Sequence, residues 1–175
     1  MKFTNLVFAS LIFVAALPSC KKDSDTPPGE EIDPAITARA EEMKTFIVDK
    51  KFQIRDFYSD KPIHPNENDT TGEKQTQLFP FASPWLKDDK NSFDAATGKV
   101  TIEQGPNKIA GNSDSLIVRD FSIDAKKDDV YFTFLDKDYL PLEYHLVSFT
   151  DSSFLVWADY LEGSKAYTKF GIINE

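Results

Sequence analysis

Hydrophobic positions along the chain follow three different rhythms. From Leu6 to Leu17 they form an apolar run without a charge, LVFASLIFVAAL, preceded by the positive charge of Lys2. Ile36, Ala40, Met43 and Ile47 then recur at spacings of four, three and four, with Arg39, Glu41, Glu42 and Lys44 between them. That is one apolar face of a helix. Asp33-Pro34 supplies its start, a side chain suited to the N-cap followed by Pro at the first helical position. The spacing predicts a helix over about 34–46 whose stripe packs as a lid on a sheet.

After Lys50 the period drops to two. Phe52 and Ile54 alternate with Gln53 and Arg55, and Phe57-Tyr58 extends the strand. Residues 59–76, SDKPIHPNENDTTGEKQT, have no apolar pattern and read as one long loop. Residues 77–89, QLFPFASPWLKDD, predict a short helical turn or irregular segment. Its Leu78, Phe79, Phe81 and Trp85 are expected to tuck against the mouth of a barrel formed by the strands. Hairpin signals follow. Residues 91–94 and 100–103 flank a turn in which Gly98 supplies a positive φ. Residues 116–123 and 130–135 flank DAKKDD, 144–149 and 154–157 flank Thr150-Asp151-Ser152, and the turn 161–164 leads into 167–173. The result is an all-β reading: about eight antiparallel strands in sequential hairpins, an up-and-down meander that closes into a barrel with an N-terminal α-helix. Closure leaves no free edges. A two-sheet sandwich is the competing architecture.

The leading apolar run is too short to span a bilayer and fits the core of a signal peptide. It ends in Leu17-Pro18-Ser19-Cys20, which resembles a bacterial lipobox, and Cys20 is the one cysteine in the chain. The expected organisation is a signal peptide over 1–19, a lipidated Cys20 with a flexible tether over 20–32, and a barrel domain over 33–175. Acyl chains on Cys20 would anchor the protein to a membrane, at about 0.8 kcal/mol per buried methylene. The stretch KKDSDTPPGEEIDP after Cys20 is polar and aperiodic. It reads equally as a solvated spacer or, by resemblance, as the export tag of a surface lipoprotein. An outer-membrane anchor is expected, with a periplasmic and a surface-facing orientation both open.

The order of segments carries a resemblance. The lipobox precedes a short helix leading into KKFQIRDFYSD, and LFPFASPWLKDDKNSFD is followed by ATGKVTIEQGP. The closing pairs are YHLVSFTDSSFLVWADY and KAYTKFGI. Together these resemble the lipocalin-like lipoproteins of Gram-negative bacteria. Their recurring element, a helical or looped segment ending in Lys-Asp-Asp before an aromatic strand and a Gly turn, is matched by Lys87-Asp88-Asp89, Phe93 and Gly98. The resemblance implies an eight-stranded lipocalin-like barrel and a generic binding role. The Gly-x-Trp of true lipocalins is absent, Lys50-Lys51-Phe52 standing there instead, so no particular ligand is implied.

Charge and composition narrow the chemistry. Twenty-nine acidic residues against 20 basic ones give −9, the wrong sign for a nucleic-acid partner. A single Cys leaves no internal disulfide and no cysteine-based zinc cluster. No Gly-x-Ser-x-Gly elbow or other nucleophile–base set is visible, so no catalytic role, cofactor or metal is expected. His64 reads as a solvated loop residue and His145 as a strand residue on the rim or outer face. Asp124, Asp128, Asp129, Asp136, Asp138 and Glu143 read as solubilising turn charges. The aromatic content of 13% is the informative excess. Phe52, Phe93, Phe121, Phe132, Phe134, Phe149, Phe154, Trp157 and Phe170 all fall in expected strands, about half of them facing inward. They either fill a dry core or line a cup capped by residues 59–89, with the N-terminal helix as a further candidate cap. On the second reading Phe52, Trp85, Phe93, Val100, Ile102, Val118, Phe132, Phe134, Phe154 and Val156 would contact a small apolar or amphipathic ligand. A monomeric, membrane-anchored, non-catalytic binding protein is the expectation. The alternative is an envelope interaction module that displays loops 59–76 and 105–114 to a protein or glycan.

Overall fold

A computed structural model describes residues 31–65, 71–108, 113–135 and 141–174. The expected leader 1–19, Cys20 and nearly all of the tether lie outside them. Helix α1 spans Pro34–Ile47. The Asp33 carboxylate accepts the Ala35 N–H at 2.8 Å, which satisfies one of the donors that a helix start leaves unpaired. The helix ends where Val48 turns extended and Asp49 takes φ 56°. Its Ala40, Met43 and Ile47 are buried, as the spacing requires.

Nine strands follow among the described residues: β1 Lys51–Ile63, β2 Gln75–Gln77, β3 Lys90–Asp94, β4 Lys99–Glu103, β5 Leu116–Ala125, β6 Val130–Leu135, β7 Pro141–Thr150, β8 Ser153–Asp159 and β9 Lys165–Ile172. A single-turn 3₁₀ helix, η1 (Phe79–Phe81), and a short helix, α2 (Pro84–Asp88), lie between β2 and β3. Each barrel strand pairs antiparallel with the next, and β1 pairs with β9 from Phe52↔Ile172 to Ser59↔Ala166. The sheet is therefore shut on itself as an eight-stranded up-and-down barrel, and the sandwich alternative is excluded. The three-residue β2 is an appendage beside the far end of β1.

One loop is shorter than expected. Residues 59–63 continue β1, Ser59 as the last residue paired with β9 and Ile63 paired with Gln75 of β2. The Ser59 hydroxyl donates to the Lys61 carbonyl at 2.7 Å within this stretch. Pro62 is tolerated because this far part of β1 lies beyond its pairing with β9. Gly98, at φ 63°, makes the β3–β4 turn, and the Asp94 carboxylate caps it by accepting the Ala96 and Thr97 N–H groups.

Helix α1 plugs the end of the barrel where β5 turns into β6. Arg39 secures it. The β7–β8 ladder skips a residue at Val147, a bulge. Arg39 Nη2 donates to the carbonyls of Leu146 at 3.0 Å and Val147 at 2.6 Å, and Arg39 also pairs with Asp129 at 3.7 Å. Beneath the helix, Phe52, Phe132 and Phe154 are fully buried. The Phe154 ring meets those of Phe52 and Phe132, and all three meet Phe93, at centroid separations of 5.1–6.1 Å. Each such ring contributes about 1.5–3 kcal/mol of burial, and each pair about 0.5–1.5 kcal/mol more. No helix among the described residues is long and apolar enough to cross a membrane.

Candidate functional site: a half-filled barrel

The inward side chains divide the barrel into a packed floor and an open cup. Toward α1 the interior is filled. At the other end a cavity of about 390 Å³ lies inside the wall. Its apolar lining includes Ile54, Val100, Ile102, Phe134 and Phe170 from the strands, and Phe79, Trp85 and Leu86 from the segment over the mouth. Polar groups enter at few points: Asn91, Arg119, Tyr144, Thr168, Tyr160 and Asp89. An apolar pocket of this size with a few placed polar groups is the usual form of a small-molecule site.

Four of the residues expected to contact a ligand line this cavity: Trp85, Val100, Ile102 and Phe134. Phe52, Phe93, Phe132, Phe154 and Val156 do not. They are 0–4% exposed and belong to the floor, because facing Phe rings and the Met43 and Ile47 side chains of α1 fill the space between them. Val118 is a correction. It is 54% exposed on the outer wall, and its neighbours Ile117 and Arg119 take the inward positions. Arg119, Asn91, Tyr144 and Thr168 were not expected in the site. Strand parity was the signal available for Arg119, since Phe121 and Ile123 point inward and two-residue steps lead back to it.

The cap is fastened by the Lys87-Asp88-Asp89 element. Gln53 Nε2 donates to the Lys87 carbonyl at 2.6 Å, and Lys87 Nζ reaches the Pro80 carbonyl at 2.9 Å. Asp88 Oδ2 accepts the Asn107 backbone N–H at 3.0 Å and its side-chain amide at 2.6 Å. Asp89 Oδ1 accepts the Gly105 N–H at 3.1 Å. A Cβ at Gly105 would lie 2.4 Å from Asp88 Cγ, so only glycine fits that approach. Burial pushes the Asp89 carboxyl above the usual carboxylate range, and the Gly105 N–H opposes that rise. Within the cap, Leu78 is buried and Phe79 and Trp85 face the cavity, whereas Phe81 is 58% exposed, contrary to expectation. The 3₁₀ turn points it away from the mouth that its neighbours cover.

Beside the mouth, the turn between β8 and β9 grips the loop after β1. Glu162, at φ 56°, accepts the His64 backbone N–H at 3.1 Å and meets His64 Nδ1 at 2.8 Å and Lys74 Nζ at 2.5 Å. Lys74, then His64, hold its carboxyl down at about 2. His64 is thus a partner in a clasp rather than a freely solvated residue.

On the outer wall, Tyr131, His145, Trp157, Tyr167 and Tyr58 occupy paired positions on five neighbouring strands. His145 stacks on Trp157 at 3.8 Å and Tyr58 on Tyr167 at 5.0 Å. The stacked faces turn toward one another, so the row stabilises the wall as cross-strand pairs do. His145 Nδ1 faces Asp129 at 3.2 Å, while Glu143 pairs with Lys126. Asp136 and Asp138 lie outside the described residues. Among the described residues no group of three or more His, Cys, Asp and Glu side chains is placed to hold a metal ion. Comparison with family models and with curated proteins finds no match to this chain.

Proposed function

We propose that the protein is a membrane-anchored, lipocalin-like lipoprotein that binds a small hydrophobic or amphipathic molecule without transforming it. The observation that carries the reading is the cavity of about 390 Å³ inside the barrel, between a dry aromatic floor and the cap of residues 79–89. A barrel evolved only for rigidity gains nothing from leaving that volume unfilled, since every unfilled void forfeits packing contacts. The sequence of residues 6–20 supports the anchor, with Cys20 as the acylated residue and the outer membrane as its location.

Native mass spectrometry of the protein from its own host should reveal a co-purifying small molecule. An apolar fluorescent probe such as 1-NPN should enter the apo-barrel and change the emission of Trp85. If the barrel takes up no apolar or amphipathic probe and Trp85 emission is constant across the panel, the binding reading fails. The anchor is tested separately: Cys20→Ala should move the protein out of the membrane fraction and abolish acylation of its N-terminus.

A further inference from the structure

We propose that the cup selects a neutral amphipath with a hydroxyl head group, held by the side chains of Thr168 and Tyr144. The inference rests on the binding role proposed above and adds the chemical class of the ligand.

Thr168 faces inward from β9 in alternation with the buried Ala166 and Phe170, while Tyr167 and Lys169 take the outer face. It is 8% exposed and lines the cavity. Its branched Cβ restricts the side chain to few rotamers. Tyr144 lines the same cavity from β7, and its ring packs edge-on against Phe134 at 5.6 Å. Among the described residues neither hydroxyl has a hydrogen-bond partner. Neither is sealed in the wall, because the one fully enclosed side-chain oxygen without a partner among those residues is Asp88 Oδ1. Asn91 adds a third group. Its Nδ2 donates to the Phe52 carbonyl at 3.4 Å, and its Oδ1 stays available as an acceptor. Interior polar groups are normally paired, and a buried tyrosine hydroxyl usually has a partner of its own. Two unpaired hydroxyls in an apolar wall therefore mark where a bound molecule supplies the missing bonds.

The charge of the wall sets the kind of head group. Among the described residues of the lining the ionic ones are Arg119 and Asp89, one of each sign, so the wall carries no net charge. Both already have protein partners. Arg119 Nη1 donates to the Val118 carbonyl at 3.2 Å, and Asp89 Oδ1 accepts the Gly105 N–H at 3.1 Å. An ion entering the cup would give up water without a free counter-charge, which is costly. The unpaired groups are neutral. Burial, and then the neighbouring Tyr160, raise the Tyr144 phenol above the ordinary tyrosine range, so it stays protonated. Thr and Tyr hydroxyls each donate one hydrogen bond and accept others, whereas the Asn91 Oδ1 only accepts. A ligand hydroxyl, itself donor and acceptor, matches both roles. The volume holds about a dozen groups of about 30 Å³, the scale of a medium-chain alcohol.

The test is displacement of the apolar probe 1-NPN from the purified protein, at neutral pH, by decanol, decanoate and decylamine, three ligands with one tail. Decanol should displace it at about a tenth of the concentration that the two ions require, the scale of one or two neutral hydrogen bonds. Thr168→Val and Tyr144→Phe remove the hydroxyls and keep the shapes. Combined, they should weaken decanol about tenfold and leave 1-NPN uptake unchanged. Tm should be unchanged or higher, since no protein hydrogen bond is lost. Decanoate or decylamine binding as tightly as decanol to the unmodified protein overturns this inference while leaving the proposed function standing, and that comparison needs no variant. Full decanol affinity in the double variant also overturns it. So does a fall in its Tm together with loss of 1-NPN, which would make the two hydroxyls part of the fold. Uptake of neither 1-NPN nor any of the three ligands overturns both readings.

Discussion

The floor and the cup are built from the same strands with the same alternation, yet they have opposite interiors. In the floor, Phe52, Phe93, Phe132 and Phe154 interlock, and α1 delivers Met43 and Ile47 into the gap that remains. In the cup the inward positions include Asn91, Arg119 and Thr168, which fill less space or demand polar company, and the covering segment closes over the mouth with Phe79, Trp85 and Leu86 lining the cavity that remains. A barrel can therefore be stabilised at one end and left receptive at the other. What sets the two halves apart is the chemistry of a few inward residues, with the strand frame held constant.

The largest effect should come from breaking the floor. Phe132→Ala or Phe154→Ala removes a fully buried ring and should cost about 3–5 kcal/mol, read from urea denaturation. Phe134→Ala, at the boundary, should cost about half as much, because part of that ring already faces cavity rather than packed atoms. If the two substitutions cost the same, the distinction between the halves is wrong. Next, Ile102→Phe places extra volume in the cup. It should abolish uptake of an apolar probe while changing stability by less than about 1.5 kcal/mol. Asp33→Ala, which removes the cap of α1, should lower stability by about 1 kcal/mol and leave probe uptake unchanged.

The smallest effect concerns the clasp at the rim. Glu162 is ionised more readily in the folded protein, at about 2 against 4.5, so the folded state binds fewer protons between those values. Its contribution is complete above about pH 4.5 and is lost as pH falls toward 2. In Glu162→Gln this part of the acid sensitivity should disappear, visible as a shallower fall of Tm between pH 4.5 and 2.

Much of the frame was legible because its signals are local. The Asp33-Pro34 start and the face Ile36–Ile47 gave the helix to within a residue. Gly98 and the polar turns placed the hairpins. Alternation predicted that about half of the strand aromatics would face inward, and the structure turns in more: Phe52, Phe93, Phe121, Phe132, Phe134, Phe154 and Phe170. Trp157 faces out against His145, and Phe149 packs on Phe46 of the helix. The site was harder to read. Leu116-Ile117-Val118 is apolar throughout, so composition favours Val118 as lining, and only the parity carried back from Phe121 reveals that Arg119 is inside. The division into floor and cup was not readable at all. It depends on where α1 inserts and on how the cap of 79–89 is tied to Gly105 and Asn107, contacts between segments far apart in sequence.

The seam between β1 and β9 also dictates an order of events during folding. The first strand of the sheet must wait for the last, from Phe52↔Ile172 to Ser59↔Ala166. Until then β1 and β8 each present a row of backbone donors and acceptors to any passing chain. Loop-closure entropy makes such a long-range join slow. A chain cut short before Lys165 would keep its hairpins and lose its zipper, and its most probable partner would be another copy of itself.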